Sequence, residues 1–239
     1  MTKAADIMRI LTQKADKKQA ERLQSFFKTG KGEYAEGDVF WGIKLPEIKK
    51  LAHQYASKLD FEDIEKLLHQ PCHEARSFAV CCLVWQYEHL AKEQAEKKQI
   101  TDFYLNNRHL INNWDLVDIS AHKILGDYVA QTQDNGILYA LADEDNLWAQ
   151  RIAVVSCWCL IKQDNFADIK NLAVKFLGHK HDLIHKSVGW MLREMGKRNE
   201  KELLAFLDSY AASLPRTTLR YALERLPEEV RHYYMRKKQ

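Results

Sequence analysis

The chain has 239 residues, 46% of them apolar and 29% charged, with 36 Lys and Arg against 33 Asp and Glu. Nine glycines and four prolines are too few for a loop-rich or all-β protein, and the formal charge of +3 permits a nucleic-acid partner without requiring one. No run approaches ~18 apolar residues, so no membrane-spanning helix is expected. The N-terminal Met1-Thr2-Lys3-Ala4-Ala5-Asp6 lacks the apolar core of a secretory signal.

Taken in order, the chain reads as helix after helix. Ala4–Lys14 carries Ile7, Ile10 and Leu11 at helical spacing, and Lys17–Thr29 carries Leu23, Phe26 and Phe27 before Gly30 stops it. Gly30 to Trp41 is the longest irregular stretch. Pro46 suits the first turn of the next helix, and Asp60 suits the cap of Phe61–Leu68. His73–Tyr87 is almost wholly apolar and is expected to be covered on both sides. Ala91–Asn106 is polar on one face. A helix starting at Asn112 or Asn113 runs on towards Gly126, followed by Ile137–Leu141, Asn146–Lys162, Phe166–Leu177, Leu183–Met195, Lys201–Tyr210 and Thr217–Leu226. Nothing alternates long enough to propose a sheet.

The helices repeat. Arg76-Ser77-Phe78-Ala79-Val80, Arg151-Ile152-Ala153-Val154, Lys186-Ser187-Val188-Gly189 and Arg220-Tyr221-Ala222-Leu223 each place a basic residue before an apolar run. Asp118-Ile119-Ser120-Ala121 stands in the same series with an acid in the basic slot. The spacing of roughly 33–42 residues is that of helical-pair repeats, which must stack to bury their apolar faces. The expected fold is all-α, a curved α-solenoid forming one domain over residues 1–239. A basic stripe of Arg76, Arg151, Lys186 and Arg220, joined by Arg193 and Arg216, would line its concave face. Such a stripe suits a phosphate backbone. Ion pairing between repeats explains the same residues, and spacing alone leaves the two readings open. Asp118 inclines the balance towards function, because a carboxylate among cations needs a reason.

Asp118 lies in Asn112-Asn113-Trp114-Asp115-Leu116-Val117-Asp118. A helix capped by either asparagine puts Trp114 and Asp118 four residues apart on one face. The pair either packs structurally or lines a site. Trp114 and Trp190 could be inter-repeat core, the place expected of Trp85 and Trp158; Gly189 beside Trp190 marks a close backbone approach. Arg151, alone in an apolar helix, needs an acid partner or an open groove. The five cysteines, Cys72, Cys81, Cys82, Cys157 and Cys159, read as reduced residues in a cytosolic protein. The spacing of Cys157 and Cys159 with His179, His181 and His185 matches no zinc pattern.

These pieces resemble the AlkD-like DNA alkylation-repair glycosylases, built from HEAT-like repeats. The resemblance rests on Trp114–Asp118, Leu147-Trp148-Ala149-Gln150-Arg151 and Lys186-Ser187-Val188-Gly189-Trp190-Met191-Leu192-Arg193-Glu194, with weaker support from Gly42–Glu47 and Arg216–Leu226. It implies catalytic roles for Trp114, Asp118, Arg151 and Trp190. It also implies excision of N7-alkylguanine and N3-alkyladenine from double-stranded DNA, with no metal or cofactor and without base flipping. Asn113 stands where a second Trp can stand in relatives, and Lys44 and Leu45 fall in a DNA-facing loop where relatives vary. No lysine is placed for a Schiff base, so simple hydrolysis is expected, and a monomer is the default for a solenoid that wraps DNA. A helical module that binds DNA or protein without chemistry is the alternative.

Overall fold

The computed structural model describes residues 3–237; Met1 and Thr2, at the head of the stretch read for a signal, and Lys238 and Gln239 lie outside them. Among the described residues helix follows helix, and the one isolated bridge pairs Val39 with Cys72. No helix there is long and apolar enough to cross a membrane. The helices form two compact units, Met1–Ser120 and Ala121–Gln239, a division that no Pro- or Gly-rich linker announces.

The first unit contains α1 (Lys3–Gln13), α2 (Lys17–Phe26), α3 (Leu45–Tyr55), α4 (Phe61–Leu68), α5 (His73–His89), α6 (Gln94–Asn106) and α7 (Trp114–Ser120). Its centre is α5, buried at every position from His73 to Val84, with α3, α4, α6 and α7 packed around it. Fully burying a side chain such as Phe78 or Leu83 contributes about 1.5–3 kcal/mol. Polar groups tie the neighbours to that core. Gln86 Nε2 donates to the carbonyls of Ala56 and Leu59, both at 2.8 Å. Asp60 caps α4 by accepting from Asp63 N, as its position implied. Helix α2 stops short of Gly30 because Lys28 already takes a left-handed conformation at φ 53°.

The second unit contains a π-turn over His122–Gly126, then α8 (Asp127–Thr132), α9 (Gly136–Asp143), α10 (Leu147–Lys162), α11 (Ala167–Lys175), α12 (Asp182–Arg198), α13 (Glu200–Tyr210), α14 (Arg216–Leu223) and α15 (Glu228–Arg236). Helix α10, capped by Asn146, packs on the π-turn, α9 and α12; α12 packs in turn on α13 and α14. Two glycines permit the closest approaches. A Cβ at Gly126 would lie 2.6 Å from Ser156 O, and one at Gly189 would lie 2.6 Å from Thr218 O. The close approach read at Gly189 is therefore the α12–α14 contact.

The repeat is visible in the polar bonds. Ser156 Oγ donates to Ala121 O, Arg151 Nη1 to Leu183 O, and Thr218 Oγ1 to His185 O, across 35, 32 and 33 residues. Arg198 pairs with Asp164 across 34 residues and Lys170 with Glu202 across 32. The five repeat marks, Arg76, Asp118, Arg151, Lys186 and Arg220, fall on α5, α7, α10, α12 and α14. Two expectations fail. Trp85 and Trp158 are only half-buried, the first stacked on His89 and the second under Lys162 Nζ at 3.8 Å. Helix α15, rich in charge and weak in apolar periodicity, was not foreseen.

Candidate functional site

Helix α7 is short, and its start is fixed by side chains. Asn113, fully buried, accepts from Trp114 N at 2.8 Å and donates to Asp38 at 3.4 Å, so it caps the helix while exposed Asn112 does not. The helical turn then brings Trp114 and Asp118 to one groove of about 340 Å³. Both residues are half-buried and face that groove.

Aromatic rings wall it. The Trp114 indole stacks on Phe27 with centroids 5.1 Å apart and meets the edge of Phe26 at 5.9 Å. Phe27 stacks in turn on Phe40 at 4.9 Å. Trp114 Nε1 donates to the Tyr34 hydroxyl at 3.2 Å, which fixes the ring in its plane. Phe26 is 64% exposed, an unusual state for a large apolar ring, and it lines the mouth together with exposed Lys44. Asp118 thus faces a space bounded by π-systems, where a cation is favoured twice, by the carboxylate and by the ring faces.

A buried polar layer lies beneath the rings. His73 Nδ1 lies 3.0 Å from Asp38 and its Nε2 lies 2.9 Å from Asp115. Burial pushes the His73 pKa down, but Asp115 and Asp38 outweigh it and raise it to about 9. Burial raises the Asp38 carboxyl, and its bonds to His73 and Arg76 more than reverse that, leaving it below its ordinary value. Glu74 accepts from the backbone N–H groups of Trp41, Gly42 and Ile43 at 2.9, 2.7 and 3.1 Å, which moors the irregular segment to α5.

The expected basic stripe is placed unevenly. Arg76 is 6% exposed, ion-paired with Asp38 and bonded to the carbonyls of Gln70 and Pro71, so it is an internal brace of the first unit and is not presented to a phosphate. The sequence pattern misplaced it because a basic residue opening an apolar helix looks the same whether an acid waits inside or not. Arg193 pairs with Glu224 and lies 3.6 Å from Glu194; Lys186 pairs with Asp182 at 2.8 Å. Arg220 is exposed, as is Arg216, which donates to Met235 O at 2.9 Å. Ion pairing between repeats therefore accounts for Arg193, while Lys186 is paired within its own helix.

In the second unit, Arg151 is 5% exposed on α10 and its Nη1 reaches Leu183 O at the start of α12. Trp190 is half-buried on α12, its Nε1 donating to Glu194 at 3.2 Å. Burial, then His185, Arg151 and Lys186, hold the His181 pKa below the ordinary value against the pull of Asp182. All five cysteines are free, four of them buried.

Tyr34, Phe40 and His73 escaped the sequence reading, which took Phe26 as part of a helical stripe and gave Asp115 no role of its own.

A helical-repeat protein with an acid seated among aromatic rings is the class that fold and site define. The family described as DNA alkylation repair enzyme matches residues 7–226, and the chain belongs to that family. Among solved structures it is similar to a predicted DNA alkylation repair enzyme from Enterococcus faecalis, at 19% identity over 90% of this chain and 97% of that one, with a TM-score of 0.71. At that identity the likeness is one of fold, and it shows the all-α helical-repeat architecture. No functionally curated protein matches the chain.

Proposed function

We propose that the protein is a monofunctional DNA glycosylase that hydrolyses the N-glycosidic bond of cationic alkylated purines, N7-alkylguanine and N3-alkyladenine, in duplex DNA. Family membership supports the repair context. The observation that carries the chemistry is the placement of Trp114 and Asp118 on one aromatic groove.

Alkylation at N7 or N3 gives the purine a positive charge and makes it a good leaving group. The C1′–N9 bond breaks with its electron pair passing to the base, which departs neutral. The sugar left behind is oxocarbenium-like, as in other glycoside hydrolyses. An ionised Asp118 stabilises that cation, orients the water that attacks C1′, and accepts the proton the water loses. The faces of Trp114 and Phe26 favour the cationic lesion over a neutral base by about 0.5–2 kcal/mol for a cation–π contact. The family resemblance also gives Trp190 and Arg151 a part in this chemistry, and in this reading Lys44, Lys186, Arg193, Arg216 and Arg220 attract the phosphate backbone.

The deciding experiment is release of free 7-methylguanine from methylated duplex DNA. Wild type is expected to release it and Asp118→Asn to lose nearly all activity. Equal release by the two removes Asp118 from the mechanism. Release by neither, with DNA still bound, replaces the enzyme with a binding module.

A further inference from the structure

His73 joins three segments at one ring. It opens α5, its backbone N–H donates to Val39 O at 2.8 Å in the segment between α2 and α3, and its ring bridges Asp38 in that segment to Asp115 on α7. Asp115 is the residue between Trp114 and Leu116, one turn before Asp118. The ring also stacks on Phe40, centroids 4.4 Å apart, and lies 5.2 Å from Phe27, the two rings that wall the groove. A neutral imidazole has one N–H and one lone pair. With a carboxylate oxygen within 3.0 Å of each nitrogen, both nitrogens must donate, so the bridge exists only as the imidazolium. The charged groups around it are Asp38 from the irregular segment, Glu74 and Arg76 from α5, and Asp115 from α7. Glu74 is taken up by backbone N–H groups, and Arg76 reaches Asp38 but makes no bond to Asp115.

We propose, resting on the glycosylase reading above, that His73 is a positioning residue: its doubly donating ring fixes α7 against the groove wall and so sets where Trp114 and Asp118 meet the substrate. Loss of the proton breaks one of the two bonds. Asp38 keeps Arg76 and Asn113 as donors, whereas Asp115 has no other side-chain donor among the described residues, so the bond to Asp38 is the one surrendered and the neutral ring stays bonded to α7.

Two substitutions separate the halves of the bridge. His73→Gln places an amide nitrogen where Nε2 stood and keeps a donor towards Asp115 at every pH. His73→Asn places it where Nδ1 stood and cannot reach Asp115. The Trp114 indole N–H, assigned by its loss in Trp114→Phe, is followed by proton–nitrogen NMR from neutral to alkaline pH. Wild type and His73→Gln, which both keep a donor towards Asp115, are expected to hold one Trp114 position throughout, and His73→Asn should be displaced at every pH. On methylated DNA, kcat should fall on the order of 10²-fold in His73→Asn with KM unchanged, as expected when reacting groups are misplaced by about an ångström, and His73→Gln should stay near wild type. A Trp114 resonance unmoved in His73→Asn overturns the proposal whatever the activity. A resonance displaced in His73→Asn of a protein whose wild type excises nothing overturns the glycosylase reading and leaves the bridge standing.

Discussion

The Trp114 indole lies nearly parallel to the Phe27 ring, at 17° and 5.1 Å between centroids, while Phe26 next to Phe27 stands 64% exposed. Neighbours in sequence therefore have opposite duties, one supporting the indole and one facing solvent at the groove mouth. Phe27→Ala should cost about 3–5 kcal/mol of stability in urea unfolding, the usual loss for a buried aromatic. Phe26→Ala should stay within about 0.5 kcal/mol of wild type and reduce excision of methylated purines. Unchanged excision in Phe26→Ala would mean the substrate does not occupy this groove.

Arg76 and Arg220 hold equivalent places in the repeat and opposite environments. Arg76→Ala leaves Asp38 buried beside a missing partner, and breaking such a pair costs about 3–5 kcal/mol. Its slope of log K for DNA against log salt should match wild type. Arg220→Ala should leave stability alone and reduce that slope by about 0.9 if one phosphate contact is lost. The two measurements exchanging places would restore Arg76 to the binding surface.

The helical repeat was legible because burial imposes a period on sequence: α5 and α10 are continuous apolar runs, and the caps Asp60 and Asn146 sit where their chemistry places them. The pairing of Trp114 with Asp118 followed from one helical turn. The aromatic wall did not, since Phe40, Tyr34 and Asp38 belong to an irregular segment whose path is set by distant acceptors such as Glu74. The internal fate of Arg76 was hidden for the same reason, its acid lying 38 residues away in that segment.

Gly42 illustrates how tightly the segment is held. It adopts φ +86°, and a Cβ there would stand 2.1 Å from Asp16 O and 2.6 Å from Ala20 N, both backbone atoms. Gly42→Ala should therefore destabilise the first unit by more than the ~1 kcal/mol of a strained φ alone, and disturb the start of α2. Gly32→Ala, also at positive φ but with nothing within 4 Å, provides the control for strain without collision.

The buried bridge also predicts how stability depends on pH. His73 is raised from an ordinary 6.5 to about 9, so its contribution is complete below about 6.5 and is lost as pH rises through 9. Asp38 is lowered, so its contribution is present above its ordinary 3.8 and is lost as pH falls through its depressed value. Urea midpoints should decline between neutral and alkaline pH, by on the order of 3 kcal/mol for a shift of this size. His73→Gln should be less stable at neutral pH and show a flatter alkaline limb. A wild-type limb as flat as that of the variant would mean His73 is not charged in the folded protein.

The described polar ties of the second unit, from Ser156 to Ala121 through Thr218 to His185, each reach about one repeat along the chain. Among the described residues these ties link neighbouring helices along the unit. Opening can therefore begin at α15 and climb inward like a zip, one helix pair at a time, without the whole unit melting. Amide exchange would register this as a staircase of protection, lowest at the C-terminal end and highest on α10.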